Sequence, residues 1–508
     1  MADDAVSSRQ PTVEHGSRKW LIAFGIALAP LLETIDSTIV NVALPNIEGN
    51  LGATLDEATF IITGYLTANV IVIPLTPWFA ERFGRRQYLT ASIFGFTGMS
   101  MLCGLAPNIE TLIFFRILQG FFGGGLIATT QSALRDLFPP EQANVGQAIF
   151  GVVISIGPIV GPLFGGIIVD QSSWPWIFYV NLVPGLVSGF VALTMLKSPG
   201  EPKKMRLDLS GVALLAVGIG GLQFMLDEGE RKDWFSSGTI LAAAVCAALG
   251  LLVFVVHSLR TERPVVDLRA LADRSVWSGC LLAAGFGTTL IGLNFIFPQY
   301  LQEAIAFTPT LSGQFMLFRG LPVVMLAPAI GAVLGANRLD PRLLIAFGFA
   351  ATGIGTGWLG FLTTSGSEFG LLIWPLMLSG VGTAFLIIPL LTVVISSVTS
   401  EMAPKASAFV TLSIQLGGSI SSALVVTILD QRQRFHSTIL AGTVTPRNLP
   451  AAQAMSPAGL FGIVQAQASV LAYADITYLI AVVSIVLVPF VFVVRRPPKG
   501  RPLSAETG

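Results

Sequence analysis

Two carboxylates three residues apart, Glu33 and Asp36, stand in the segment LLETIDSTIVNVALP (31–45), whose other side chains are apolar or weakly polar. Arg116 interrupts the equally apolar LIFFRILQGFFGGG (112–125), and Arg319 lies in QFMLFRGLPVV (314–324). An ionisable group in such surroundings costs about 2.5–3.5 kcal/mol on insertion scales, so it persists where it pairs, lines water or moves protons. On one helix, positions three apart place their Cβ atoms about 5–6 Å from each other. In a low dielectric Glu33 and Asp36 are therefore expected to titrate as a coupled pair. Counting about 1.5 Å of rise per residue puts Asp36 roughly 12 Å and Arg116 roughly 10 Å below the same membrane face. They can then form an ion pair that protonation opens and deprotonation restores. Asn41, Gln119, Phe122, Asn294, Gln299, Glu303 and Arg319 are further candidates to face a transported compound. The plainer alternative is that the acids line a wet vestibule.

Nothing else in the chain points to a reaction. Cys103, Cys246 and Cys280 fall within apolar runs, and His15, His257 and His436 are scattered. The expectation is no disulfide, no metal, no cofactor and no enzymatic activity. The phosphate-binding pattern G-x-x-x-x-G-K-[ST] does not occur, so energy for transport is expected from an ion gradient.

The elements that must position these charges are membrane helices. Hydrophobic residues make up 53% and charged residues 11% of 508, which is far from the composition of a soluble domain. Apolar runs of about 18–25 residues mark spans near 20–44, 57–79, 88–106, 109–134, 144–169, 174–197, 209–227, 238–259, 276–299, 311–335, 342–362, 371–396, 406–429 and 471–494. With fourteen spans, nearly all Lys and Arg fall in loops on one side. The other side keeps only Arg231, Lys232, Arg432, Arg434 and Arg447. By the positive-inside rule both termini are cytoplasmic. The leader before the first span is polar and that span is too long for a signal-peptide core, so it is expected to remain as an anchor.

The resulting organisation is an N-terminal leader (1–19), a six-helix unit (20–197), a linker with an extra hairpin (198–275), a second six-helix unit (276–494) and a tail (495–508). An outward loop is expected over 430–470, rich in Gln, Ala, Pro and Thr. A faint internal repeat places basic residues in corresponding turns, FAERFGRR (79–86) and GANRLDPR (335–342).

Three motifs carry more specific information. In PWFAERFGRRQYL, Glu81, Arg82, Gly84, Arg85 and Arg86 crowd an acid, bases and a turn-permitting glycine into one reversal, a candidate conformational latch or simply a topological anchor. RILQG contains Arg116 and Gln119. In GVVISIGPIVGPLFGGIIVD (151–170), Gly157, Pro158, Gly161, Pro162 and Gly165 recur at helical spacing, which suits close helix packing and a kinked hinge.

Taken together, IDSTIVNVALP, ERFGRR, RILQG and GPIVGPLFGG, in this order on the first, second, fourth and fifth spans, resemble the signatures of the fourteen-helix drug:proton antiporters of the major facilitator superfamily. The chain departs from them at Pro77, where the family motif opens with Gly, and at Glu81, where it has Asp. LQFMLDEGERKDWFSS (222–237) and RPVVDLRAL (263–271) carry a closer match to members that work with accessory proteins. The resemblance implies an all-α membrane protein, a major facilitator fold of two six-helix bundles plus two extra transmembrane helices. It further implies proton-coupled multidrug efflux by alternating access from a bacterial inner membrane, with a periplasmic adaptor and an outer-membrane channel as partners. A metabolite symporter, or an exporter of one natural product, is the alternative on the same fold.

Overall fold

A computed structural model describes residue 14 and residues 16–53, 55–139, 142–197, 208–262, 264–335, 339–364, 366, 369–398, 402–443 and 457–495. Most of the leader, the linker residues 198–207 and the tail beyond 495 lie outside the described residues. Helices account for nearly all the rest. They are α1 (Arg18–Leu51), α2 (Leu55–Val72), α3 (Thr76–Phe83), α4 (Arg85–Gly104), α5 (Ile109–Gly123), α6 (Leu126–Leu137), α7 (Ala143–Gln171), α8 (Trp176–Tyr179) and α9 (Leu182–Met195). After the linker come α10 (Leu209–Glu228), α11 (Gly238–Arg260), α12 (Arg274–Gln299), α13 (Pro309–Gly335), α14 (Pro341–Leu362), α15 (Phe369–Ser396), α16 (Ala403–Thr443) and α17 (Pro457–Phe490).

Among the described residues twelve helices are long and apolar enough to cross a membrane, and α7 makes thirteen if its two arms, bent by 41° between Pro158 and Val160, form one span. The remaining expected span, 88–106, coincides with α4, whose polar first turn Arg85-Arg86-Gln87 dilutes its apolar character. Three expected spans are split: a 3-10 turn at Ile73–Leu75 separates α2 from α3, Gly124-Gly125 separates α5 from α6, and Val180-Asn181 separates α8 from α9. Prolines explain the first break, since Pro74 and Pro77 lack the amide hydrogen that a continuous helix would use.

The helices form two bundles of six spans. In the first, α1 packs on α7 and α9, α2 on α5, and α4 on α5 and α9. In the second, α12 packs on α16, α14 on α15 and α17, and α13 on α15. α7 and α13 join the bundles along their lengths, and the start of α16 docks on α6 and the α2–α3 break. The extra pair α10–α11 packs mainly on itself, with α10 lodged between α2 and α16. Phe224 of α10 stacks on Phe60 with ring centroids 6.2 Å apart, and Gln223 Nε2 donates to Ser419 Oγ at 3.0 Å. At the other end of the pair, Asp208 caps α10 by accepting from the Gly211 amide at 2.9 Å and meets His257 of α11 at 2.9 Å. Burial alone would raise the Asp208 pKa, but these bonds hold it below its ordinary value.

The stretch 430–470 differs from the expected loop. α16 continues to Thr443 and α17 begins at Pro457, so both flanks are helical and only 444–456 lies outside the described residues. Arg432 and His436 of α16 both reach Asp475 of α17, at 2.6 and 2.7 Å, and Gln433 Nε2 donates to Ser469 Oγ at 2.7 Å. Ala and Gln are good helix formers, and these polar cross-links hold the paired extension together.

Candidate functional site

Asp36 is fully buried, and Arg116 is 1% exposed. Their side chains meet, with Arg116 Nη1 donating to Asp36 Oδ2 at 2.5 Å. Four helices supply the rest of the cluster. Gln119 Nε2, one turn along α5, donates to Asp36 Oδ1 at 3.0 Å, and Gln119 Oε1 accepts from Arg116 Nη1 at 2.7 Å. Asn181, at the start of α9, donates to the same Asp36 Oδ1 at 2.9 Å and to Ser100 Oγ of α4 at 3.0 Å. Arg116 Nε donates to the Ile61 carbonyl of α2 at 3.2 Å, and the guanidinium lies over the Tyr65 ring at 4.1 Å. Such a pair is tolerable in a low dielectric because every oxygen of the acid has donors and the cation has both a counter-charge and a ring face.

Glu33 turns elsewhere. It is 4% exposed and accepts from Asn69 Nδ2 of α2 at 2.8 Å, while its second oxygen is buried without a hydrogen-bond partner. Although the two positions share one face of α1, Asn69 of α2 holds the Glu33 carboxyl while Arg116, Gln119 and Asn181 hold that of Asp36, and no hydrogen bond joins the two acids among the described residues. Sequence reasoning missed Tyr65, Asn69 and Asn181. The signal available was a polar side chain inside an apolar run, which α2 shows at Asn69.

The antiporter-type helix α7 packs directly on α1 beside this cluster. A Cβ at Gly161 would meet the Thr38 hydroxyl and lie 3.0 Å from the Ile35 carbonyl oxygen, and one at Gly165 would lie 3.0 Å from the Ile39 carbonyl oxygen. Gly157 faces Thr34 in the same way. Pro158 and Pro162 sit inside α7, next to its bend.

At the basic end of the bundle, Gly84 takes φ +87°, a conformation that side chains disfavour, and turns α3 into α4. Arg85 Nη1 donates to Asp136 Oδ2 of α6 at 2.7 Å and to Ser132 Oγ at 3.1 Å. Arg86 donates to the Leu193 carbonyl of α9, Arg82 lies 5.8 Å from the Phe83 ring, and Glu81 lines a cavity of about 180 Å³ with Trp78, Asp267, Lys405 and Phe409. Close by, Ser407 of α16 donates to Gln131 of α6 at 2.5 Å, joining the two bundles.

The remaining candidates scatter. Phe122 packs against Gly95 of α4 in the first bundle, and Gln119 belongs to the Asp36 cluster. In the second bundle Arg319 of α13, 3% exposed, donates through Nη1 to the Asn294 side-chain oxygen of α12. Gln299 ends α12. The side chains of Asn41 and Glu303 lie outside the described residues.

Two six-helix bundles meeting along α7 and α13, with a sealed charge cluster inside one of them, define a membrane transporter fold rather than a receptor or channel built on a single bundle. The sequence profile of the Major Facilitator Superfamily matches residues 26–422, and the chain belongs to that family. Among curated proteins it is similar to the Multidrug export protein EmrB of Escherichia coli (strain K12), 35% identical over 90% of this chain and 89% of that protein. It is also similar to the Fatty acid resistance protein FarB of Neisseria gonorrhoeae, 32% identical over 96% of this chain and 98% of that one. Among solved structures, the proton:xylose symporter XylE superimposes with a TM-score of 0.58 over 92% of this chain and 95% of its own, at 12% identity, a likeness of fold alone.

Proposed function

We propose that this chain is a proton-coupled multidrug exporter that moves hydrophobic or amphipathic toxic compounds out of the cell by alternating access. The observation that carries the reading is the fully buried Asp36–Arg116 pair, held by Gln119 and Asn181 from neighbouring helices. A proton arriving at Asp36 removes the charge that binds Arg116 and loosens α1 from α5. Loss of the proton restores the bridge. Because α7 packs on α1 through Gly157, Gly161 and Gly165, a shift of α1 reaches the α7–α13 seam between the bundles. Gradient energy, about 2.3 kcal/mol per charge moved through 100 mV, then drives the cycle. Glu33 is the auxiliary acid.

The relatives named for multidrug export and fatty acid resistance support an amphipathic cargo. Asn41, Phe122, Asn294, Gln299, Glu303 and Arg319 are assigned to the cargo path, and Glu81, Arg82, Gly84, Arg85 and Arg86 to the latch that closes the basic end. With that end cytoplasmic, both termini are cytoplasmic and the protein resides in a bacterial inner membrane. The units 20–197 and 276–494 are the moving bundles, and 198–275 connects them. The paired extension of α16 and α17 projects about 20 Å beyond Asp430 at 1.5 Å per residue. That projection supports contact with a periplasmic adaptor of EmrA type that leads to an outer-membrane channel.

The deciding experiment uses purified chain in proteoliposomes with an imposed pH gradient and a panel of fluorescent amphiphiles. Uphill export that collapses with a protonophore is expected. Accumulation in the opposite sense, with proton flow, would make the chain a symporter instead.

A further inference from the structure

Among the described residues three arginines are buried in the helices, and two of them, Arg85 and Arg116, meet a carboxylate. Arg116 is neutralised by Asp36. Among the described residues Arg319 has one hydrogen-bond partner, the neutral Asn294 oxygen on its Nη1, while its Nε and Nη2 are buried without one. Its own helix α13 and the bundle neighbours α12, α14 and α15 contain no Asp or Glu. Asp475 of α17 is already held by Arg432 and His436, and Asp430 of α16 by Arg434. An uncompensated buried cation is among the costlier features a bundle can retain, so its retention points to a ligand that supplies the missing charge.

The geometry says what that ligand looks like. Nε and Nη2 form the side edge of the guanidinium, where two N–H bonds run parallel and match both oxygens of one carboxylate. Asn294 holds Nη1, which fixes the plane of the fork and leaves this edge without a hydrogen-bond partner among the described residues. One turn to either side along α13 stand Phe315 and Met316, then Pro322 and Val323, all apolar. Phe315 is fully buried and meets Phe318 edge-on at 6.2 Å. An inorganic anion would meet the charge but make no use of these flanks, whereas a carboxylate on an alkyl or aryl body uses both.

We infer that Arg319 is the receptor for the carboxylate of an amphipathic monocarboxylate cargo, with Asn294 as the residue that positions its open edge. The cargo's later fate rests on the exporter reading above, but its binding needs no gradient. The test is equilibrium binding of sodium dodecanoate to the full-length chain in nanodiscs, with dodecan-1-ol as uncharged control and chloride as inorganic competitor. Dodecanoate should bind the wild type about tenfold to a hundredfold more tightly than Arg319→Gln, the range expected on losing charge-assisted bonds. Dodecan-1-ol should not distinguish the two proteins, and chloride should not displace dodecanoate. Arg319→Lys keeps the charge without the parallel edge and should be about tenfold weaker than wild type. Arg319→Gln should melt no lower than wild type, because it removes an unpaired buried charge. If that variant fails to fold, Arg319→Lys carries the comparison. Equal dodecanoate affinity in the wild type and the folded variant would overturn the inference, and displacement by chloride would reassign the site to an inorganic anion. Dodecanoate binding without proton-driven export of any compound would sink the exporter reading alone. Export without Arg319-dependent dodecanoate binding would sink this inference alone.

Discussion

Asp36→Asn separates charge from shape at the centre of the cluster. Asp36 faces only donors: Arg116 on one oxygen, Gln119 and Asn181 on the other. An Asn amide must turn its NH2 group toward one of them, so the substitution removes the counter-charge of Arg116 and sets donor against donor. Breaking a buried ion pair from one side costs about 3–5 kcal/mol, and exposures of 0% and 1% leave little solvent to relieve it. Thermal melting in detergent should fall accordingly. Adding Arg116→Met should recover at least about 2 kcal/mol of that loss, since the two sites touch and their effects cannot add independently. Transport should not recover. In proteoliposomes with an imposed pH gradient, Asp36→Asn alone and the double variant should both lose uphill export, while cargo binding persists. Uphill export at the wild-type rate by Asp36→Asn would refute the coupling role and move attention to Glu33. Strictly additive melting losses would refute the energetic pairing.

Gly161→Leu should abolish export while the protein still reaches the membrane, because even a Cβ there would lie 3.0 Å from the Ile35 carbonyl; normal drug resistance in that strain would exclude a tight α1–α7 seam. Glu33→Gln keeps an acceptor for Asn69 and should cost under about 1 kcal/mol, with a partial loss of export in the same vesicles. Arg85→Ala removes a partner that Asp136 shares with Arg135 and should cost about 1–3 kcal/mol. Spin-label distances across the basic end should then report a larger open fraction. Gln131→Leu breaks the bond from Ser407 between the bundles and should shift those distances in the same direction; unchanged distances in both variants would reduce the turn to a topological anchor.

Periodicity, composition and charge asymmetry are properties that a linear chain carries by itself, and they were enough to locate the spans. A membrane helix must satisfy its backbone internally and cover its length with apolar side chains, so each span leaves a continuous local signal. The same local signal marked Asp36, Arg116 and Arg319 as anomalies, because a charge inside an apolar run is visible without any fold. What the chain could not display was partnership. Glu33 and Asp36 read as one coupled pair at i and i+3, yet tertiary packing gives Asp36 to α5 and α9 and Glu33 to α2. Asn69 and Asn181 are unremarkable polar residues until folding brings them against an acid 36 and 145 positions away. The helical extension over 430–443 and 457–470 escaped notice for a related reason: its stability comes from side chains of α16 and α17 bonding to each other, and hydropathy along one strand of sequence has no term for a contact with another. The two arginines make the contrast plainest, since each looks alike in its own run of residues, and only the packing of helices decides that one is neutralised and the other is left with an open edge.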